Sequence, residues 1–419
     1  MRALPEPAPF RRLTASQSAP CAWSARRLGM LLAAALLLSG CTQVEALKEG
    51  FSGFTEYFGG KDNAQPPSPL KPLDKEIPVK VLWKDSVGDG YEGQFLDLVP
   101  AVDGDYLYVA SHDGRVEARE RSSGRVLWRK DTGLPISGGV TLGRDYLVFG
   151  TRDAEVVAFN VADGSSLWSN SVTSEVLSLP KVADGVVVVR TTDGRIAALD
   201  EKTGAKRWVH ERSVPALSLR VVGSPAVVND KIIDGYASGK LIALHAQDGK
   251  QEWESVVSRP HGRSEIDRLV DLGAEPAVQG DEVYVVGYNS GVASVAAGNG
   301  EVLWHQEDYS AFAGPAATRR ALFLTDDDSD VWRLDIRNGG DLWRQGDLHQ
   351  RRLSAPLVYR DYLVVGDFEG YVHFLSQDDG RIVARTQVGR EAIGSRLVTD
   401  GAAVYVYGTG GDLAALVLE

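Results

Sequence analysis

The stretch TDGRIAALDEKTGAKRW, residues 192–208, holds the pattern that decides the fold. An Asp-Gly turn leads into a short apolar run, a Thr-Gly turn follows at Gly204, and Trp208 comes four residues after that glycine. Short runs rich in Val, Ile and Ala between such turns are typical of β-strands, because tight turns use the positive φ that glycine adopts freely. With VVVVR, residues 186–190, the pattern predicts a unit of four short strands over residues 181–209.

The pairing of a turn glycine with a tryptophan four residues later recurs along the chain. Successive glycines lie 39 to 51 residues apart, and the copies are Gly124 with Trp128, Gly164 with Trp168, Gly204 with Trp208, Gly249 with Trp253, Gly300 with Trp304 and Gly339 with Trp343. A seventh copy has Ala384 after Gly380. Four-stranded units with a period near 40 residues are typical of β-propeller blades, and we expect the tryptophans to pack between adjacent blades.

A second turn indicates how the propeller closes. The turn between the second and third strands occurs eight times, at residues 112–114, 152–154, 192–194, 237–239, 289–291, 328–330, 368–370 and 409–411. The last unit ends at Glu419 after its third strand, whereas VKVLWKD, residues 79–85, is a strand run with Trp83 in the tryptophan position. We therefore predict an all-β, eight-bladed β-propeller of four-stranded blades, in which the N-terminal strand completes the C-terminal blade.

The first 41 residues have the features of a lipoprotein export signal. Arg26 and Arg27 precede an apolar run over residues 28–38, and LSGC, residues 38–41, resembles the bacterial lipobox. Such a sequence is typical of a secretory signal, and the run is shorter than the roughly 20 residues that span a bilayer. The resemblance implies cleavage before Cys41 and lipid on that residue. The alternative is a simple cleavable signal with a chance cysteine.

These features divide the chain into three regions. Residues 1–40 are a signal peptide with an upstream extension, residues 41–76 are a lipidated N-terminus and flexible tether, and residues 77–419 are the propeller. The tether is Pro-rich between residues 66 and 72, a composition that favours an extended spacer. In lipoprotein signals, a residue such as Thr42 after the lipidated cysteine implies sorting to the outer membrane, here on its periplasmic face.

The composition argues against several classes of function. The net charge is −12, the sequence pI is about 5.2 and no Lys or Arg run follows the signal, so nucleic acid is not an expected partner. The two cysteines, Cys21 and Cys41, both precede the propeller, which is left without a disulfide or a cysteine metal site. The histidines are scattered, without the short spacing of paired metal ligands.

Two connections between blades are longer than the repeat requires. One follows Trp208 and the other follows Trp253, each after the fourth strand of a blade, so both are expected on the same face of the ring. Because insertions in repeat proteins often carry the binding contacts, we expect a partner-binding surface here. The first insertion has Leu217 and Leu219 beside Arg220, the combination that interface anchors show. The alternative is that the leucines pack into the ring while Arg220 pairs with a neighbouring carboxylate.

The blade motif resembles the pyrroloquinoline-quinone-type repeat, and the chain from about residue 28 onward resembles the BamB family of outer-membrane lipoproteins. The stretches that carry the second resemblance are VPALSLR, SEIDRL and VVGDFEGYVHFL, residues 214–220, 264–269 and 364–375. It implies a non-enzymatic scaffold that binds the periplasmic domains of BamA, the barrel subunit of the assembly complex, and assists folding and insertion of outer-membrane β-barrel proteins. Unfolded outer-membrane proteins are further candidate partners.

The resemblance also assigns individual residues. The BamA-binding residues of the family map onto Leu217, Leu219, Arg220 and Asp271. The family pattern has a second acid two positions after Asp271. This sequence has Gly273 there, and so departs from the family at that contact.

Two other classes of function are compatible with the blade pattern. Quinone-dependent dehydrogenases have such repeats, but they bind a quinone and calcium and often carry adjacent cysteines, which this sequence lacks. We predict no catalytic residue and no cofactor. The acidic run over residues 326–330 is expected to be a solvated blade turn rather than a metal site. A carbohydrate-binding propeller of the cell surface stays an alternative, because the sequence does not separate a sugar site from a protein-binding patch.

Overall fold

The computed structural model describes residues 65–73, 75–91, 94, 96–211, 219, 223–261, 263 and 268–419. The chain divides into two compact units, Met1–Gln65 and Pro66–Glu419, and the second unit contains every strand named below. The signal peptide and the lipidation position Cys41 lie outside the described residues, as do Leu217 and Arg220. Among the described residues, none forms a helix of the length and apolarity that crossing a bilayer requires.

The regular structure of the described residues consists of thirty-two β-strands, which form eight antiparallel sheets of four. Blade 1 contains β2 (Ala101–Asp103), β3 (Tyr106–Ala110), β4 (Arg115–Glu120) and β5 (Val126–Asp131). Blade 2 contains β6 (Ile136–Leu142), β7 (Tyr146–Thr151), β8 (Glu155–Asn160) and β9 (Ser166–Ser171). Blade 3 contains β10 (Lys181–Ala183), β11 (Val186–Arg190), β12 (Ile196–Asp200) and β13 (Lys206–His210). Blade 4 contains β14 (Ala226–Val228), β15 (Lys231–Gly235), β16 (Lys240–His245) and β17 (Gln251–Val256).

The second half of the ring repeats this arrangement. Blade 5 contains β18 (Ala277–Gln279), β19 (Glu282–Gly287), β20 (Gly291–Ala296) and β21 (Val302–Gln306). Blade 6 contains β22 (Ala316–Ala317), β23 (Ala321–Thr325), β24 (Val331–Asp335) and β25 (Asp341–Gln345). Blade 7 contains β26 (Leu357–Tyr359), β27 (Tyr362–Gly366), β28 (Tyr371–Ser376) and β29 (Ile382–Gln387). Blade 8 contains β30 (Val398–Thr399), β31 (Val404–Tyr407), β32 (Asp412–Leu418) and β1 (Val79–Ser86).

The blades form a closed ring around a central channel. The first strand of each blade contacts the first strand of the next, and the series ends where β30 contacts β2. The N-terminal strand β1 pairs with β32 in antiparallel register, from Val79 opposite Leu418 to Ser86 opposite Asp412. The predicted all-β, eight-bladed propeller and its closure by the N-terminal strand are therefore confirmed.

Burial follows the position of each strand within its blade. The four valines of β11, residues 186–189, are all fully buried, because neighbouring blades cover both faces of an inner strand. The outer strand β9 is largely exposed, and Trp168 is its only buried residue, at 8%. A run of consecutive apolar residues thus marks an inner strand, whereas one buried tryptophan marks an outer strand.

Seven junctions between blades share one contact, in which the tryptophan of one blade covers the turn glycine of the next. At Gly124, with φ of +70°, a Cβ would lie 2.6 Å from the ring of Trp83. The indole N–H of Trp83 donates to the carbonyl of Arg121 at 2.8 Å. The same donation occurs from Trp128, Trp168, Trp208, Trp253, Trp304 and Trp343 to carbonyl groups of the following blade. The predicted packing role of the tryptophans is therefore confirmed at these seven positions.

The ring has two distinct faces. In an up-and-down blade, the turn between the second and third strands lies at the same end as the connection from the fourth strand to the next blade. We call this side the connection face. It includes the described residues of the three connections that follow β13, β17 and β25, namely 211, 219 and 223–225, then 257–261, 263 and 268–276, and then 346–356. The two long insertions are therefore on one face and on neighbouring blades, as the sequence predicts.

Candidate partner-binding face

The two long insertions meet at the carboxylate of Asp271. One oxygen of this carboxylate accepts a hydrogen bond from the Gly273 N–H at 2.7 Å, and the Leu219 N–H of the other insertion also donates to it. The side chain is buried, with Asp271 only 3% exposed. Two segments some fifty residues apart in sequence are therefore joined by one carboxylate.

Backbone contacts reinforce this junction. Asp271 and Tyr288 exchange N–H···O bonds of 3.1 and 2.9 Å, which attach the second insertion to blade 5. A Cβ on Gly223 would lie 2.1 Å from the carbonyl oxygen of Gly273, so the two insertions approach as closely as backbone allows. Gly273, which occupies the position of the family's second acid, therefore contacts the other insertion through its backbone in this chain.

A buried charge pair supports the insertions from below. Asp234 is 1% exposed and lies 3.4 Å from Arg190, whose guanidinium also reaches the Gly273 carbonyl at 3.4 Å. Arg190 lies over the ring of Tyr236, 6.0 Å from its centre. Burial raises the pKa of both Asp234 and Asp271 above the usual value, although Arg190 partly offsets the effect. One guanidinium therefore contacts Asp234 and the Gly273 carbonyl beneath the insertions, and its charge also acts on Asp271.

The sequence analysis did not single out Arg190 or Asp234. The sequence nevertheless contains a sign of both residues, because Asp234 interrupts the apolar run of β15 and Arg190 ends the valine run of β11. A charged residue at an inner-strand position requires a buried partner, because an isolated buried charge is very costly. The repeat pattern does not say which partner that is.

The structure describes two of the four predicted partner-binding residues, and it brings them together. Leu219 lies at the mouth of the central channel, in a cavity of about 550 Å³ whose other apolar walls are Leu96, Ala274, Phe312, Leu353 and Ala355. Phe312 is 50% exposed and stacks on Tyr288 at 5.3 Å with an interplanar angle of 18°. The insertions therefore stand beside an exposed apolar surface.

A charge network closes the floor of this cavity. Arg396 lies 2.6 Å from Glu275 and 3.6 Å from Asp97, and Lys181 lies 2.9 Å from Glu275. These residues belong to or precede the first strands of blades 8, 5, 1 and 3, so the network ties opposite sides of the ring. Burial raises the pKa of Asp97 to about 6, against the lowering effect of Arg396.

The acidic run over residues 326–330 is engaged within the protein. The Asp326 carboxylate accepts the indole N–H of Trp332 at 2.7 Å. The Asp330 carboxylate is fully buried and accepts from Arg344 at 2.7 Å. The prediction of a solvated turn is therefore wrong for Asp326 and Asp330, whose carboxylates have internal partners, whereas the two residues after Asp326 are exposed.

One other group in the described part of the chain has the geometry of metal ligands. Donor atoms of Asp230, His245 and Glu252 lie within 4.8 Å of one another. The ammonium of Lys231 already contacts this group, 2.5 Å from Glu252 and 3.3 Å from Asp230. We therefore assign no metal to it.

Comparison with known proteins identifies the family. A family profile described as "Outer membrane protein assembly factor BamB" matches residues 80–136, 112–345 and 333–418. The outer membrane protein assembly factor BamB of Pseudomonas aeruginosa is 49% identical over 354 residues, which cover 84% of this chain and 93% of the relative. The protein of the same name from Alkalilimnicola ehrlichii is 48% identical over 393 residues, which cover 94% and 97%.

Solved structures agree with this assignment. The crystal structure of BamB from Moraxella catarrhalis superposes with a TM-score of 0.73 at 25% identity, over 81% of this chain and 99% of that one. A quinohemoprotein alcohol dehydrogenase from Comamonas testosteroni superposes with a TM-score of 0.62 at 12% identity, a likeness of fold alone. The chain therefore belongs to the BamB family of outer membrane protein assembly factors.

Proposed function

We propose that this chain is a non-enzymatic scaffold lipoprotein that binds the periplasmic domains of BamA and assists the folding and insertion of outer-membrane β-barrel proteins. The names of its relatives support the assembly role. The proposed binding surface consists of the two long insertions on the connection face, with Leu217, Leu219 and Arg220 as contact residues. Contact with the rest of the assembly complex would run through BamA.

The observation that carries this proposal is the close approach of the two insertions, in which a Cβ on Gly223 would lie 2.1 Å from the carbonyl oxygen of Gly273. It joins the two segments that differ most from the blade repeat, and it does so at the edge of an exposed apolar surface that includes Phe312. Interfaces are anchored by apolar and arginine side chains on a rigid support, because a fixed surface loses little conformational entropy on binding.

Asp271 has a different part in this proposal from the other three residues. Because its side chain is 3% exposed, we propose that Asp271 positions the Leu219 segment instead of touching the partner. Leu217 and Arg220 flank Leu219 in sequence and would provide the direct contacts.

The anchor is a separate part of the proposal. Lipid on Cys41 would hold the protein at the periplasmic face of the outer membrane, where BamA resides. If a form with Cys41→Ser, exported behind a cleavable signal, restored outer-membrane assembly fully at native levels, the anchor would be unnecessary and this part would be wrong.

Charge reversal at Arg220 tests the binding surface. Arg220→Glu should reduce capture of BamA from detergent-solubilised envelopes by at least about tenfold. This corresponds to a loss of about 1.4 kcal/mol or more of binding free energy, as expected for an interface anchor. The matched control is Arg320→Glu, an exposed arginine in the turn between β22 and β23 on the opposite face. Equal capture by both variants would contradict the proposed surface.

Substitution of Asp271 tests the positioning role. Asp271→Ala leaves the Gly273 and Leu219 N–H groups without their acceptor, so BamA capture should fall by about three- to tenfold. Asp271→Asn keeps one acceptor oxygen and should lose less. If the alanine variant bound BamA like wild type, the carboxylate would not be organising the surface.

A further inference from the structure

The last residues of the predicted tether are packed against the ring. Residues 66–73 lie over the junction between blades 6 and 7, where Leu70 and Leu73 pack against a core cluster built from both blades. That cluster includes Phe323 of blade 6 and Leu363 of blade 7. The contact differs from the flexible tether expected over residues 41–76, and its cause is the pair of leucines within the proline run.

Both backbone groups of Ser68 are bound to the connection that follows β25. The Ser68 N–H donates to the carbonyl of His349 at 3.0 Å. The guanidinium of Arg351 donates to the Ser68 carbonyl at 3.0 Å. The N–H and the C=O of Ser68 are therefore both held by one connection on the connection face.

The arginine that binds Ser68 is itself fixed. Arg351 is 3% exposed, donates to the buried carboxylate of Asp367 at 2.8 Å and pairs with Glu369. His373, which is fully buried, shares the Asp367 carboxylate at 2.9 Å. Arg351 is thus held by Asp367 and Glu369 through bonds that do not involve the segment, which favours a binding site for Ser68 that is already formed before the segment docks.

Further contacts continue the docking toward β1. Arg385 donates to the Lys71 carbonyl at 3.2 Å, and the Lys71 ammonium pairs with Asp347 at 2.6 Å. The segment also contains Pro66, Pro67, Pro69 and Pro72. Prolines restrict the free chain to extended conformations, so docking such a segment costs little conformational entropy.

We propose that residues 66–73 form a strap that fixes the point at which the lipid-linked N-terminus joins the ring. That point is on the connection face, the face that carries Leu219 and Asp271. The tether predicted from the sequence is then shortened from 36 residues to the 25 of residues 41–65. For a flexible chain, the expected root-mean-square span falls from about 30–36 Å to about 25–30 Å. The consequence for anchoring rests on the lipid proposed for Cys41, whereas the strap itself does not.

Distance measurement between two spin labels tests the strap in the full mature chain. One label replaces Pro66 and the other replaces Asp327, an exposed residue in the turn between β23 and β24 on the connection face. Strap docking predicts one narrow distance distribution. The opening variant combines Ser68→Pro, which removes the bonded N–H, with Leu70→Ser and Leu73→Ser, and it should broaden the distribution.

The matched control is Ser68→Ala, which keeps the N–H and should stay narrow. Every variant should remain folded, with a cooperative thermal transition well above the temperature of the measurement, so that broadening reports the strap and not unfolding. A broad distribution in the parent chain, or a narrow one in the opening variant, would overturn the proposal.

Capture of BamA separates this proposal from the previous one. In detergent the opening variant should bind BamA as wild type does, because the insertions are untouched. In intact membranes it should be about twofold less effective at equal abundance, since local concentration falls with the length of the free tether. If the distance measurement contradicts the strap, the Arg220→Glu test of the binding surface is unaffected. If the Arg220→Glu variant contradicts the binding surface, the distance measurement still tests the strap.

Discussion

Seven junctions of the ring are closed by a tryptophan over a glycine, whereas the eighth, between blades 7 and 8, is closed by the two ends of the propeller chain. At the seven junctions the indole covers a turn and donates to a carbonyl of the next blade, as Trp253 does to Ala297 at 3.0 Å. At the eighth, the tryptophan position is Ala384, which is fully buried.

The difference follows from how blade 8 is assembled. Its third and fourth strands come from opposite ends of the chain, so there is no turn glycine for a tryptophan to cover. In its place the Glu419 N–H donates to the Pro78 carbonyl at 3.1 Å, and the Ile77 N–H donates to Val383 at 2.9 Å. Ile77 also packs against a core cluster shared by blades 7 and 8. The repeated residue is therefore a consequence of the repeated turn, and it is absent where the turn is absent.

The largest expected effect is loss of one of the seven tryptophans. Trp253→Ala should lower the free energy of unfolding by about 3–5 kcal/mol, because Trp253 is only 9% exposed and its removal leaves a cavity at the junction. Urea denaturation gives the value. Leu303→Ala, at a 46% exposed position on the outer strand of blade 5, is the control and should change it by less than about 0.5 kcal/mol. Equal losses would mean that the junction tryptophans are not what joins the blades.

The second-largest loss of stability is expected from substitution of the turn glycine in the same contact. Gly300 has φ of +76°, and a Cβ there would lie 2.5 Å from the Trp253 ring, so Gly300→Ala should cost about 2–4 kcal/mol. Gly280 has φ of +64° with open space around it, so Gly280→Ala should cost only the backbone part, about 1 kcal/mol. The same denaturation assay compares them. If the two losses were equal, the indole would not be restricting the turn.

At the eighth junction a smaller loss is expected from a single residue. Ile77→Ala should lower the free energy of unfolding by about 1–2 kcal/mol, because Ile77 is only partly buried and its backbone bond to Val383 is kept. Lys80→Ala, at an exposed position of β1, is the control. A loss as large as that of Trp253→Ala would mean that Ile77 stabilises the eighth junction as much as one tryptophan stabilises each of the other seven.

The smallest effect concerns the charge that links β1 to blade 1. The hydrogen bond from Arg119, at 2.5 Å, holds the pKa of Asp85 below its usual value of 3.8. A carboxylate with a lowered pKa stabilises the folded state above its unfolded pKa, and this contribution is lost as the pH falls through the folded value. Asp85→Asn should therefore lower the thermal midpoint slightly at pH 7, and the difference from wild type should be smaller at pH 3, because the contribution is lost as the pH falls below 3.8. Asp378→Asn, whose side chain is fully exposed, should match wild type at both pH values. A difference for Asp85→Asn that is as large at pH 3 as at pH 7 would contradict this account.

Most of the fold could be predicted because blades repeat. Gly204 and Trp208 recur at a fixed offset, and that periodicity gives the number of blades, the missing strand and its replacement by residues 79–85. Local turn chemistry decides each of these features, and turn chemistry can be read from neighbouring residues. The observed strand β1, Val79–Ser86, matches the prediction within one residue.

The site was less predictable, because it depends on contacts between distant segments. Loop length identified the two insertions, but the burial of Asp271 and its bond to Leu219 follow from how neighbouring blades pack. The docking of Leu70 was also missed, since a proline run has no periodicity that indicates which surface it will meet. Partners such as Arg190 and Asp234 are 44 residues apart, beyond the reach of any local pattern.

The pairing of β1 with β32 also fixes the order in which the ring can be completed. If the chain is exported N-terminus first, as the predicted signal peptide implies, β1 leaves the translocation channel before its partner. The ring then cannot close until the residues up to Leu418 have crossed. Until that point blade 8 lacks its inner three strands, and blades 7 and 1 each have one uncovered side. Closure of the ring therefore requires the whole stretch from Val79 to Leu418.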